Sequence, residues 1–153
     1  MRLLAIDPGP EHSGFVLYDG EKPVEFGKPV NDMILGLIDT LDAHALAIEM
    51  IASYGMPVGR ETFETCVWIG RFWERWLRGE VRPARLVYRR EVKLHLCDSP
   101  RAKDANVRQA LIDRYGGKEK AIGKKATPGP LHGVSGDVWA ALGVAVTVAD
   151  ALT

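Results

Sequence analysis

Cysteine is scarce in this chain of 153 residues, with only Cys66 and Cys97. They offer neither a disulfide framework nor the close pairing of a zinc site, so a reducing compartment is expected. Long hydrophobic runs are missing too: Val138 to Leu152 is apolar but contains Thr147 and Asp150 and falls short of the ~20 residues that a membrane-crossing helix needs. The opening MRLLAIDPG turns acidic and glycine-bearing too soon for a secretory signal. A soluble cytoplasmic protein without a membrane partner is expected. Net charge is also absent, 20 Lys and Arg against 20 Asp and Glu, so the overall balance points to no class of partner.

What is present is a segregation of charge. Residues 1–59 hold three Lys/Arg against nine Asp/Glu, residues 60–125 hold seventeen against nine, and residues 126–153 hold none against two, for nets of −6, +8 and −2. The basic middle suggests a polyanion footprint; Arg-rich helix surfaces facing solvent are the competing reading. The length suits one core, and residues 1–153 are expected to form a single domain.

Arg2 to Ile6 reads as a short apolar strand, followed by Phe15 to Tyr18 and, after the Asp19-Gly20 hairpin signal, by Pro23 to Gly27. Asn31 is suited to cap a helix with Met33, Ile34, Leu37, Ile38 and Leu41 at helical spacing, and Ala45 to Ile48 is a buried strand after it. A helix from about Glu61 to Leu77 carries Phe63, Val67, Gly70, Trp73 and Leu77 near one face and Trp68, Phe72 and Trp76 as a second stripe; one face can meet the sheet and the other needs a different partner. Ala84 to Tyr88 is a further strand. Helices follow over Arg90 to Leu96 and Ala102 to Tyr115, then a basic Gly/Pro loop from Lys118 to Leu131, then an apolar helix capped by Ser135. The order predicts an α/β fold: a mixed five-stranded sheet, the first three strands antiparallel and the fourth and fifth parallel to the first, with helices on both faces.

Three carboxylates stand out. Asp7 ends the first strand, before Pro8-Gly9; Glu49 ends another as Ala47-Ile48-Glu49; Asp137 is the lone acid at the start of the last helix. An ionised group beside buried aliphatics is costly unless it is paired or holds a cation. Gathered together, these hard oxygen donors suit Mg²⁺ or Mn²⁺. Each has a plainer reading: Asp7 as a turn cap through Gly9 or Ser13, Glu49 as the partner of an arginine, Asp137 as a helix-start acid. His132 could complete a metal shell, position water or contact a phosphate, or have no role. His12 and Ser13 lie in the turn after Asp7, and His44 and His95 read as surface residues.

Arg89, Arg90 and Lys93 cluster after a strand, Arg101, Lys103 and Arg108 extend them, and Lys118, Lys120, Lys124 and Lys125 lie among glycines. Such cations position a DNA backbone without reading its sequence. Tyr54 and Met56 are candidates to wedge between bases at a branch point, with Tyr54 as an ordinary loop aromatic the alternative. The aromatic excess of Trp68, Phe72, Trp73 and Trp76 points to a homodimer interface, against the alternative of a tryptophan-rich monomeric core.

Leu4-Ala5-Ile6-Asp7-Pro8-Gly9 with Ser13-Gly14-Phe15, Ala47-Ile48-Glu49, Tyr88 to Lys93 with Lys103 to Val107, and Gly136 to Leu142 together resemble four blocks of the RuvC family of Holliday junction resolvases, in particular its small bacteriophage-type members. The resemblance implies a ribonuclease H-like fold and a homodimeric endonuclease that nicks four-way DNA junctions symmetrically, leaving 5′-phosphate ends. It implies two Mg²⁺ per active site on Asp7, Glu49 and Asp137, with Lys93 and Lys103 assisting. The family has a further Asp or His where this chain has Val134; either His132 substitutes for it or fewer side chains hold the metals. Y-forks and flaps are alternative substrates. A junction-binding protein without catalysis, and an enzyme cutting RNA in hybrids, are the alternatives of a different class.

Overall fold

The computed structural model of the chain describes residues 1–153. Three strands, β1 (Leu3–Asp7), β2 (Gly14–Tyr18) and β3 (Pro23–Gly27), form an antiparallel meander. Helix α1 (Asn31–Thr40) then crosses to β4 (Ala45–Met50), which pairs parallel to β1. Helix α2 (Arg60–Leu77) leads to the edge strand β5 (Ala84–Tyr88), parallel to β4, and completes a sheet of order β3-β2-β1-β4-β5. The remainder is α3 (Arg89–Cys97), α4 (Asp104–Arg114), the single turn α5 (Lys118–Ala121), a hairpin of β6 (Gly123–Lys124) and β7 (Thr127–Pro128), and α6 (Val138–Ala151). The expected mixed five-stranded α/β fold with helices on both faces is the observed one. No helix is long and apolar enough to cross a membrane.

Both sheet faces are covered, which explains the near-continuous apolar run of β1. Leu4 and Ile6 of β1, with Leu46 and Ile48 of β4, pack on α1 and α2. Leu3 and Ala5, with Ala45 and Ala47, face α6. Small residues on that side let α6 lie close to the sheet, and α3 and α4 pack over its outer side. At Gly143 an added Cβ would sit 3.0 Å from Val92 Cγ1 of α3, so glycine lets the two helices approach.

The structure decides which face of α2 meets the sheet. Ile69, Phe72 and Trp76 are buried against the sheet and α1, whereas Phe63, Val67 and Leu77 are exposed. Phe72 and Trp76 are therefore core residues, 0% and 1% exposed, and not the dimer surface expected of them. Trp76 nevertheless has polar and cationic partners: Nε1 donates to Arg82 O at 3.3 Å and the Arg82 guanidinium lies 3.7 Å over its ring. Trp68 and Trp73 are only partly buried against the same core. In α1, Met33 is exposed and Leu35 buried.

The helix starts also differ. Val30, not Asn31, holds the N-cap position of α1, and α6 begins at Val138 with Asp137 as its N-cap, so Ser135 caps nothing. The basic segment after Lys118, expected as loop, contains the turn α5 and the β6–β7 hairpin.

Candidate metal and nucleic-acid site

Strand parity determines which way the acids point. In β1, residues 3 and 5 face α6, and so does 7; in β4, residues 45 and 47 face α6, and so does 49. Asp7 and Glu49 thus lie on adjacent parallel strands, at the carboxyl end of the sheet, on the side covered by α6. Asp137 stands at the N-terminus of α6. Its backbone reaches the sheet at Gly14, which pairs with Asp7 across β1 and β2. A Cβ on Gly14 would fall 2.8 Å from Asp137 O, so only glycine permits this approach.

The carboxyls of Asp7 and Glu49 are close enough to perturb one another. Burial, then the neighbouring charge of Glu49 and that of Asp137, push Asp7 up to about 8, opposed by Arg89. Burial likewise raises Glu49, opposed first by Arg89. Arg89 Nη1 stands 3.8 Å from Glu49 Oε1. Both atoms are buried and neither has a hydrogen-bond partner. Asp137 is ion-paired with Lys28, a residue of no apparent interest in the sequence.

The acids do not form a closed ligand cage: no group of three or more His, Cys, Asp or Glu side chains is positioned to hold an ion. Lys28 engages Asp137 at the rim, and Arg89 lies beside Glu49. The residues nonetheless fit a divalent cation. Two hard carboxylates come together at a partly buried position where the affinity of both for a proton is raised, and Glu49 Oε1 lacks any donor. The plainer reading of Glu49 as an arginine partner describes part of what is seen.

The turn after Asp7 is fixed by residues whose role is not visible in the sequence. Ser13 Oγ accepts from Gly9 N at 3.1 Å and donates to Asn31 Oδ1 at 2.5 Å, while Asn31 Nδ2 donates to Gly9 O at 2.9 Å. Ser13 and Asn31 are buried. Asn31 thus braces the loop leaving Asp7 instead of capping a helix, and Ser13, not Asp7, closes that loop. His132 lies in the loop before α6, with Nδ1 3.0 Å from Ile122 O. Donation of the Nδ1 proton to that carbonyl leaves Nε2 as the free acceptor of the neutral ring.

Several of the expected DNA-binding residues converge. Tyr54, Arg89, Arg90, Lys93 and Arg101, with Pro100, line a cleft of about 380 Å³. Arg89 forms its boundary with a second cleft of about 370 Å³ that includes Asp104, Arg108, Asp137 and Trp139. Arg89 is held by Asp104, at 2.7 Å from Nη2, and this pairing holds Asp104 below the usual carboxylate range. Lys93 Nζ lies 3.9 Å from the same carboxylate. The Arg108 guanidinium lies 5.0 Å over the Trp139 ring. Lys103, Met56, Lys118, Lys120, Lys124 and Lys125 line neither cleft. Lys103 instead occupies the N-cap position of α4, its backbone N donating to Asn106 Oδ1 at 2.9 Å.

No family model matches this chain. No curated protein matches it either. Solved structures do. The chain superposes on the Thermus thermophilus RuvC structure with a TM-score of 0.76 at 16% identity, covering 99% of this chain and 96% of that one. On T. thermophilus RuvC in complex with a Holliday junction substrate the TM-score is 0.70 at 17% identity, covering 96% and 92%. The architecture is ribonuclease H-like, and at these identities the similarity is one of fold.

Proposed function

We propose that this chain is a Mg²⁺-dependent endodeoxyribonuclease that resolves four-way DNA junctions by paired symmetric nicks, leaving 5′-phosphate ends. The observation that carries the reading is the burial of Asp7 against Glu49, with Asp137 close by, beside a cleft lined by four cations. The fold it shares with a protein described in complex with a Holliday junction supports the choice of substrate.

On this reading Asp7, Glu49 and Asp137 hold the metal ions, two per site, with His132 Nε2 as a further donor and Mn²⁺ able to replace Mg²⁺. When bound, such ions activate water and stabilise the departing 3′ oxygen of a phosphodiester. Arg89, Arg90, Lys93 and Arg101 neutralise the backbone next to the cut, and Lys93 assists the chemistry at the phosphate. Lys103, Arg108 and the lysines at 118, 120, 124 and 125 contact the flanking arms. Tyr54 and Met56 probe the branch point. The whole chain acts as one nuclease domain, in a homodimer. Its interface is assigned to the outward stripe of Phe63, Val67 and Leu77, which are 62%, 63% and 54% exposed, together with the open edges of Trp68 and Trp73.

The test is incubation of the purified protein with labelled four-way junction, Y-fork, flap, linear duplex and RNA–DNA hybrid, in Mg²⁺, in Mn²⁺ and in chelator. Metal-dependent cutting of branched DNA, with duplex spared, is expected. Cutting of the hybrid alone, or junction binding without any cutting, would replace this reading with the corresponding alternative.

A further inference from the structure

Next to the cationic cleft lies a second cavity, of about 530 Å³ and largely apolar, lined by Ala52, Tyr54, Tyr88, Arg90, Glu91 and Leu94. Tyr54 and Arg90 line both cavities. The two are therefore neighbours across Tyr54 and Arg90, one apolar and the other strongly basic. Tyr54, Tyr88 and Leu94 are 63%, 42% and 54% exposed, although nothing in the chain covers them. Apolar surface left open beside a cluster of cations fits a ligand with a flat apolar part joined to an anion.

We propose that this cavity receives one unstacked nucleobase of the branched DNA, with Tyr88 as the wall on which the base lies and Arg90 reaching the phosphate attached to it. The inference rests on the reading of branched DNA as substrate and adds a base-binding residue, Tyr88. A nucleotide satisfies both cavities at once. Its base presents a π-face to tyrosine and its phosphate answers Arg90, Lys93 and Arg101. A purely apolar partner would leave the cations beside it without counter-charge.

The two walls differ in rigidity. Tyr88 ends β5, and its backbone N donates to Glu91 Oε2 at 2.9 Å, while Glu91 Oε1 accepts from Arg85 Nη2 at 2.8 Å. Strand, helix start and ion pair hold it in place. Tyr54 sits instead on the loop after β4, with φ of 50°, in the left-handed region that non-glycine residues seldom adopt. Tyr88 is the preformed surface, and Tyr54 lines the cavity from the loop.

The experiment measures junction binding with Ca²⁺ in place of Mg²⁺, so that cutting does not intervene. Four-way junctions carry either an intact base or an abasic site at each position flanking the branch point. For the unmodified protein, one position is expected where the abasic site weakens binding about 10-fold, the scale of stacking a base on an aromatic side chain. Tyr88→Ala should bind the intact junction about 10-fold more weakly and lose its sensitivity to that abasic site, because the two changes remove one contact. Tyr88→Phe should behave as the unmodified protein, and Leu94→Ala, on the same cavity, should show a smaller loss with the same dependence. Thermal melts establish that each variant is folded. If the Tyr88→Ala and abasic losses multiply, or Tyr88→Ala binds normally, the pocket assignment is overturned while the nuclease reading stands. If the unmodified protein does not prefer junction to duplex, both are overturned.

Discussion

Gly14 and Asp137 touch through their backbones: a single methyl group on Gly14 would lie 2.8 Å from Asp137 O and 3.0 Å from its carbonyl carbon. Gly14 is also the β-partner of Asp7. One glycine thus sets the spacing between the sheet that carries two acids and the helix that carries the third. Gly14→Ala is expected to push the start of α6 away from β2, at a stability cost of about 1–3 kcal/mol. Metal-dependent cleavage should fall at least about 10-fold, as expected when catalytic groups are misplaced by less than about 1 Å. Melting and cleavage rates on the same preparation check both parts; unchanged cleavage would show that the contact does not set the site's geometry.

Asp7 predicts an inverted pH dependence of stability. Its folded-state value of about 8 lies above the ordinary value of 3.8. The native protein therefore retains a proton that the unfolded chain has lost, and metal-free stability falls as pH rises between about 4 and about 8. Asp7→Asn removes this slope. In chelator at pH 9 the variant should melt above the unmodified protein, by on the order of 1–2 kcal/mol in stability. At pH 4 the two should be similar. A variant that melts lower at pH 9 would contradict the burial of a strained acid pair.

Metal addition should reverse that order. At pH 8, Mg²⁺ at ~100 times its dissociation constant stabilises a protein that binds it only when folded by ~2.7 kcal/mol. The unmodified protein should gain melting temperature on this scale, whereas Asp7→Asn and Glu49→Gln should not. Lys28→Ala frees Asp137 from its ion-pair partner and is expected to tighten the response to metal. A response equal in all four proteins would place the ion elsewhere.

The strand order, the acids of β1 and β4 and the basic cluster at Arg89 to Lys93 were legible because they are local: a run of aliphatics, a carboxylate at its end, arginines in sequence. What escaped depends on contacts between distant segments. Lys28 meets Asp137, and Asn31 braces Gly9 and Ser13, across gaps that no spacing rule spans. Which face of α2 meets the sheet was not legible because both stripes are apolar, so periodicity alone did not decide it. Packing buried the stripe of Ile69, Phe72 and Trp76 and left Phe63 and Val67 in solvent. The Asp7 and Glu49 pairing follows from strand parity, but Asp137 depends on where α6 begins, at Val138, three residues beyond the Ser135 that looked like its cap.

Arg89 stands between the acids and the basic cleft and is expected to serve both. Its guanidinium contacts Asp104 through Nε and Nη2, at 3.2 and 2.7 Å, and has Glu49 as its other neighbour at 3.8 Å. Arg89→Ala leaves a buried Glu49 oxygen without its nearest cation and should raise the apparent pKa of the acid pair further. If Arg89 also meets a phosphate, the variant should bind junctions more weakly at low salt, with the slope of log affinity against log salt reduced by about 1. Arg89→Lys keeps the charge but loses the two-nitrogen grip on Asp104, and is expected to restore the salt slope without restoring full cleavage. Binding titrations at several salt concentrations, run beside cleavage assays, separate the two roles. A salt slope unchanged in Arg89→Ala would confine this arginine to holding the acids in place.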